Sequence, residues 1–120
     1  MVNHPAASRV IPRAILPVAD MVEALSFWAG LGFDARSWDG GYALVRHQGQ
    51  ELLHLRLVEG LDRDSNAGSA YLHVASADDW HAAWADAGVA LGDIADEPWG
   101  MREFSFRDSS GNLIRVGNNL

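Results

Sequence analysis

The residues equipped for chemistry in this chain fall at alternate positions of short apolar segments. His54 and Arg56 alternate with Leu53, Leu55 and Leu57, and Tyr71 and His73 with Leu72 and Val74. Glu103, Ser105 and Arg107 alternate with Phe104 and Phe106, Arg115 with Ile114 and Val116, and Arg13, Ile15 and Pro17 with Ala14, Leu16 and Val18. Successive side chains of a strand point to opposite faces. Five strands therefore share one aliphatic and aromatic face and one face that mixes Arg, His, Tyr, Glu and Ser. Such a face can simply meet water, as antiparallel sheets allow. It can also line a concave ligand surface, for which large rings beside charged groups are suited.

The reactive chemistry available to that face is narrow. Cysteine is absent, which excludes disulfides and thiolate catalysis. There is no serine nucleophile elbow and no paired-carboxylate signal. The GLG at 30–32 follows a helical segment instead of preceding one, so it reads as a stop and not as a phosphate cradle. His54 is a candidate base with Glu103 as its partner, and His54, His73 and Glu103 are candidate donors for a displaced metal site. Satisfied groove histidines are the plainer account of both.

These residues must be positioned by a small framework. A length of 120 residues suits one domain with its own core. Residues 10–18 read as a strand. Asp20 is the N-cap of a helix with Met21, Ala24, Leu25 and Trp28 on its apolar stripe, and Glu23 completes a capping box. The pattern returns 56 residues later: Ser76 matches Asp20, Asp79 matches Glu23, Trp84 matches Trp28 and Gly88 matches Gly32. Each half then continues into short strands and a hairpin, with turns at 47–50 and 108–112 rich in Gly, Asn, Ser and Asp. Two modules of strand–helix–strand–strand–strand follow, about 9–58 and 70–117, joined by the polar linker 59–69. The short strands over 33–38 and 90–95 carry the weakest patterns. The expected fold is α+β: two βαβββ modules forming a curved mixed sheet around a groove, with the helices packed on its outer face.

Sixteen acids oppose nine bases, all arginine, for a formal charge of -7. No basic stripe is present, which argues against nucleic acid, and the surface should favour cations. No apolar run is long enough to cross a membrane. The opening MVNHPAASR lacks an apolar signal-peptide core, so a cytoplasmic location is expected. Five tryptophans are many for this length, and flat amphipathic rings make good ligand platforms.

The paired module, the opening RAILPVAD…ALSFW…LGF and the closing PWGMREFSFRDSSGNLIRV resemble the vicinal oxygen chelate superfamily over residues 9–117. That superfamily includes glyoxalase I, extradiol dioxygenases, fosfomycin-modifying enzymes and bleomycin-binding resistance proteins. The 98–115 stretch looks most like the bleomycin resistance branch. The resemblance places Arg13, Ser69 and Arg115 where the metal-dependent members carry ligands, and leaves Leu53 or His54 at the fourth position. Arginine has no lone pair to offer, so the resemblance implies no metal and no cofactor.

It implies a homodimer that holds a planar, cationic, bleomycin-like antibiotic without modifying it. Trp99, Gly100, Met101 and Arg102 would shape one wall. Phe33, Trp38 and Tyr42 would contribute from loop and strand, with Tyr71, His54, Glu103, Arg13 and Arg115 on the groove face. Asp39, Glu97 and Glu103 would be counter-charges to the ligand. Arg13 and Arg115 suit a carboxylate better than a cation unless an acid neutralises them. The alternatives are a superfamily enzyme (lyase, isomerase or dioxygenase-like) acting on a small metabolite with a displaced or absent metal, and a scaffold dimer without a ligand.

Overall fold

The computed structural model describes all 120 residues. Module one runs β1 (Ala14–Val18), α1 (Met21–Gly30), β2 (Asp34–Ser37), β3 (Tyr42–His47) and β4 (Gln50–Leu57). Module two runs β5 (Ser69–His73), α2 (Ala77–Asp86), β6 (Ala95–Glu97), β7 (Met101–Arg107) and β8 (Leu113–Asn119). Each module forms its own four-stranded mixed sheet, in the orders β1-β4-β3-β2 and β5-β8-β7-β6. The first strand of each lies parallel to the last, and the other pairs are antiparallel. No helix is long and apolar enough to cross a membrane.

The helices form where the caps place them. The Asp20 carboxylate accepts from the Glu23 N–H at 2.9 Å, and the Ser76 hydroxyl from the Asp79 N–H at 3.2 Å. The capping box does not close as expected, however. The Glu23 carboxylate turns away from the helix start and takes Arg63 of the linker, at 2.5 Å. That linker is not loose: it holds a 3₁₀ turn (Arg63–Ser65), and Arg63 also donates to the Ser109 carbonyl at 2.8 Å.

Two strand boundaries differ from the sequence reading. β1 starts at Ala14, not residue 10, because Pro12 has no N–H to give a ladder. The strand expected at 90–95 lies instead at Ala95–Glu97. Val89, Leu91 and Ile94 pack against the core, and the Gly92 N–H bonds the Ser105 carbonyl at 2.8 Å. This insertion lengthens the repeat. Ala14 pairs with Leu53, whereas its equivalent Ala70 pairs with Ile114. The 56-residue offset of the helices thus becomes 61 in the hairpins.

A contiguous cluster of 17 buried residues joins the two modules. Phe27 of α1 meets Phe106 of β7 at 6.3 Å between ring centroids, and the buried Trp84 indole donates to the Leu31 carbonyl at 2.9 Å. The turn 108–112 is a second seam. Asp108 accepts from the N–H groups of Ser110 and Asn112, while Ser110 accepts from Ala19 N–H at 3.0 Å. The Asn112 amide donates to the Pro17 carbonyl at 2.9 Å, and its oxygen accepts from Asn66. Burial raises the Asp108 pKa, and its hydrogen bonds from Asn112 and Ser110 oppose that rise.

Candidate functional site

The helices cover one face of each sheet and leave the other free. On module one, ladder pairing sets Leu44 beside His54 and His54 beside Ile15, and sets Tyr42 beside Arg56 and Arg56 beside Pro17. His54 is held on both ring nitrogens. Its Nδ1 lies 2.5 Å from the Tyr42 hydroxyl and its Nε2 bonds the Glu51 carboxylate. An ionised carboxylate can only accept. A neutral His54 is therefore the Nε2–H tautomer, and Tyr42 donates to Nδ1. The hydrogen bond from His54 holds the Glu51 carboxyl below its usual range. The acid that partners His54 is thus Glu51 of its own strand, not the Glu103 expected from the alternation, which lies in the other sheet.

Glu103 anchors a separate group on module two. It is 5% exposed, yet its carboxylate accepts from Tyr71 at 2.8 Å, Trp99 Nε1 at 3.4 Å and Arg115 at 3.3 Å. Arg115 is therefore neutralised within the chain. Gly117, opposite Glu103 in the ladder, makes room for this cluster: a Cβ there would stand 2.1 Å from the Tyr71 hydroxyl. Burial, then the hydrogen bond to Glu103, pushes the Tyr71 pKa up to about 12.

The 61-residue offset relates the two groups. Tyr42 corresponds to Glu103, His54 to Arg115 and Leu44 to Ser105. Each module thus sets a β-strand side chain against its neighbour on the last strand, as a Tyr–His pair in one and a Glu–Arg pair in the other. Trp38 corresponds to Trp99 by the same count. Both stand beyond the ends of the sheets, 83% and 59% exposed, while Trp28 and Trp84 are buried. Trp38 borders a shallow depression with Asp39, Tyr42 and Leu44. No hydrogen bond or ring contact joins the two groups, so the single groove face of the sequence reading is two half-faces within one chain.

The remaining candidates are dispersed. Met101 shares the Glu103 face of β7, and Gly100 forms the preceding turn at a φ of 86°. Arg102 points to the helix side, where Asp78 of α2 and Asp96 of β6 clamp it at 2.9–3.1 Å. Phe33 is buried among Trp28, Trp80 and Trp84. Arg13 stands just before β1 and lines a cleft between the modules. The sequence reading passed over Glu51. It lies three residues before His54 on the same strand, at its start beside the hairpin turn, so strict alternation assigns it to the opposite face and hides it.

The metal positions implied by the resemblance do not suit a divalent cation. Leu53 is buried in the core and His54 faces outward, so His54 is the residue that register sets against Arg115. Two guanidiniums offer no lone pair, and no three His, Asp or Glu side chains converge anywhere in the molecule. His54, His73 and Glu103 are not gathered together.

The sequence matches, over residues 9–116, the family described as the Glyoxalase/Bleomycin resistance protein/Dioxygenase superfamily. The chain belongs to this superfamily. No curated protein matches it. Among solved structures, it is similar to a bleomycin resistance determinant encoded on transposon Tn5, with a TM-score of 0.84 and 19% identity over 92% of this chain and 98% of that one. A bleomycin-binding protein complexed with bleomycin gives 0.84 and 19%, over 93% and 100% of the two chains. The bleomycin-binding protein of bleomycin-producing Streptomyces verticillus, complexed with copper(II)-bleomycin, gives 0.79 and 27%, over 95% and 99%. The two 19% matches establish the fold of this superfamily member.

Proposed function

We propose that this superfamily member sequesters a planar, cationic glycopeptide-type antibiotic such as bleomycin, without altering it. The observation that carries the reading is the pair of exposed tryptophans, Trp38 and Trp99, at equivalent positions of a fold shared with bleomycin-binding proteins. Exposed indoles are costly to leave in water and well shaped to stack on flat heterocycles. A net charge of -7 favours a cationic ligand. We further propose that the protein acts as a homodimer. Each chain leaves Ile15, Trp38 and Trp99 uncovered, and a second copy would bring one module's free face opposite the other's.

Calorimetric titration with metal-free bleomycin tests this. Saturation near one ligand per chain is expected. Trp38→Leu and Trp99→Leu should each weaken binding roughly tenfold or more, as loss of a stacking anchor does, with unchanged melting temperature. No heat of binding at tens of micromolar protein would overturn the reading. One observation favours a second reading, a superfamily enzyme acting on a small metabolite. The Tyr42–His54–Glu51 chain is arranged as a proton relay, with a base oriented by a carboxylate. The titration separates the two: sequestration requires saturable bleomycin binding that weakens in Trp38→Leu and Trp99→Leu, whereas an enzyme of a small metabolite gives no heat with bleomycin.

A further inference from the structure

Between the modules, beside the segment leading into β1, lies a cleft of about 290 Å³. It abuts the two half-faces just described, sharing Glu51 with one and Tyr71 with the other, but takes in neither Trp38 nor Trp99. Phe33, Trp80 and Trp84 form its aromatic wall, with Phe33 and Trp80 5.9 Å apart between ring centroids. Arg13, His47 and His73 supply its polar rim.

Those three polar groups share one property. The Arg13 Nε is buried and has no hydrogen-bond partner. Arg13 bonds only the adjacent Pro12 carbonyl, at 3.3 Å, and makes no direct ion pair, although its charge helps hold the Glu51 carboxyl on the same rim below its usual range. Neither His47 nor His73 makes a side-chain hydrogen bond. His47 instead sets its ring edge-on to Phe33 and Trp80, at 5.5 and 5.4 Å, which fixes its plane. Of the other polar residues on the rim, Glu51 is engaged by His54 and the Tyr71 hydroxyl by Glu103, and Gln50 is free. A buried N–H left without an acceptor is costly. Its persistence beside an aromatic wall, in an otherwise acidic protein, calls for an external acceptor.

We infer that this cleft binds a small aromatic carboxylate. The carboxylate accepts from the Arg13 guanidinium, a geometry in which two parallel N–H groups meet two oxygens. His47 and His73 flank it, and the ring lies against Trp80 and Phe33. The volume is that of roughly ten waters, which suits a single-ring acid and excludes a glycopeptide antibiotic. This ligand therefore occupies a pocket between the modules, next to the half-faces but away from the exposed tryptophans proposed to hold the antibiotic.

Phenylacetate is the probe. In proton–nitrogen correlation spectra it should produce saturable shifts in the indole N–H signals of Trp80 and Trp84, leaving those of Trp38 and Trp99 in place. Arg13→Met should weaken it at least tenfold, Arg13→Lys by less, and Arg36→Met, at an exposed position of β2 away from the cleft, not at all, each at unchanged melting temperature. Benzylamine, of the same shape and opposite charge, should not bind. Saturation should persist with bleomycin present. The inference fails if phenylacetate at 10 mM, about the weakest affinity worth calling a site, shifts no indole signal. It also fails if benzylamine binds equally, or if Arg13→Met and Arg13→Lys both bind like the native chain.

Discussion

At the scale of single residues, the free faces are decided by pairs. Glu103 shows why a polar residue can be both buried and tolerated: three donors surround its carboxylate, and a buried charge so bonded avoids most of its desolvation cost. The same contacts answer a question the alternation leaves open. Arg115 forms a direct ion pair with Glu103, whereas Arg13 forms none. Tyr71 reports on this cluster. In Tyr42→Phe it is the sole tyrosine, and its phenolate absorbance should rise near pH 12, not near the ordinary 10.0. Because the folded value lies above the unfolded one, Tyr71 favours the folded state below pH 10.0, and that contribution is lost as the pH climbs toward about 12. Glu103→Gln should bring the midpoint down. A midpoint at 10 in the Tyr42→Phe protein would contradict the hydrogen bond.

At the scale of elements, β8 carries two devices that its sequence disguises as a plain strand. The first is Gly117. A Cβ there would meet the Tyr71 hydroxyl at 2.1 Å, the Glu103 Cβ at 2.9 Å and the Arg102 carbonyl at 3.0 Å. Gly117→Ala should therefore cost about 2 kcal/mol, the usual penalty of overpacking, read from urea unfolding, and should release Tyr71 to titrate lower. An unchanged midpoint and titration would show that the sheet yields instead. The second device is the turn before β8. Its composition announces a turn, but its Asp, Ser and Asn also serve as a clasp on β1 and on the linker. The helices were the most legible elements, since Asp20, Ser76, Gly32 and Gly88 are local signals read by local hydrogen bonds. The strand near residue 95 was not, because a stretch with Val89, Leu91 and Ile94 is equally apolar whether it pairs in a ladder or packs on a core.

At the scale of the whole molecule, the modules are one folding unit. Trp84, Phe27 and Phe106 share a core across the seam, and Asn112 ties the clasp to Pro17. Asn112→Ala strips acceptors and donors from Pro17, Asn66 and Asp108 at once. A loss of about 2–4 kcal/mol is expected, since several buried partners are left unpaired. Calorimetry should still show a single transition for the native chain, and two separated transitions would mean that the modules unfold independently. The acidic surface belongs to this scale too: antibiotic binding, if steered by charge, should weaken as salt rises.

By itself the sequence determined the two βαβββ modules, the helix limits, the inward and outward face of each strand, and the superfamily. These follow from local hydrogen bonding and from the two-residue and 3.6-residue periods of buried side chains, which are written in neighbouring positions. The tertiary structure alone decided the partners. Whether His54 meets Glu51 or Glu103, whether Arg115 or Arg13 forms the direct ion pair, and which acids clamp Arg102 all depend on register and on the five residues inserted before β6. A strand pattern fixes which face a side chain takes. It cannot fix what stands opposite, because that is set by a chain segment distant in sequence and brought near only when the sheets close over their common core.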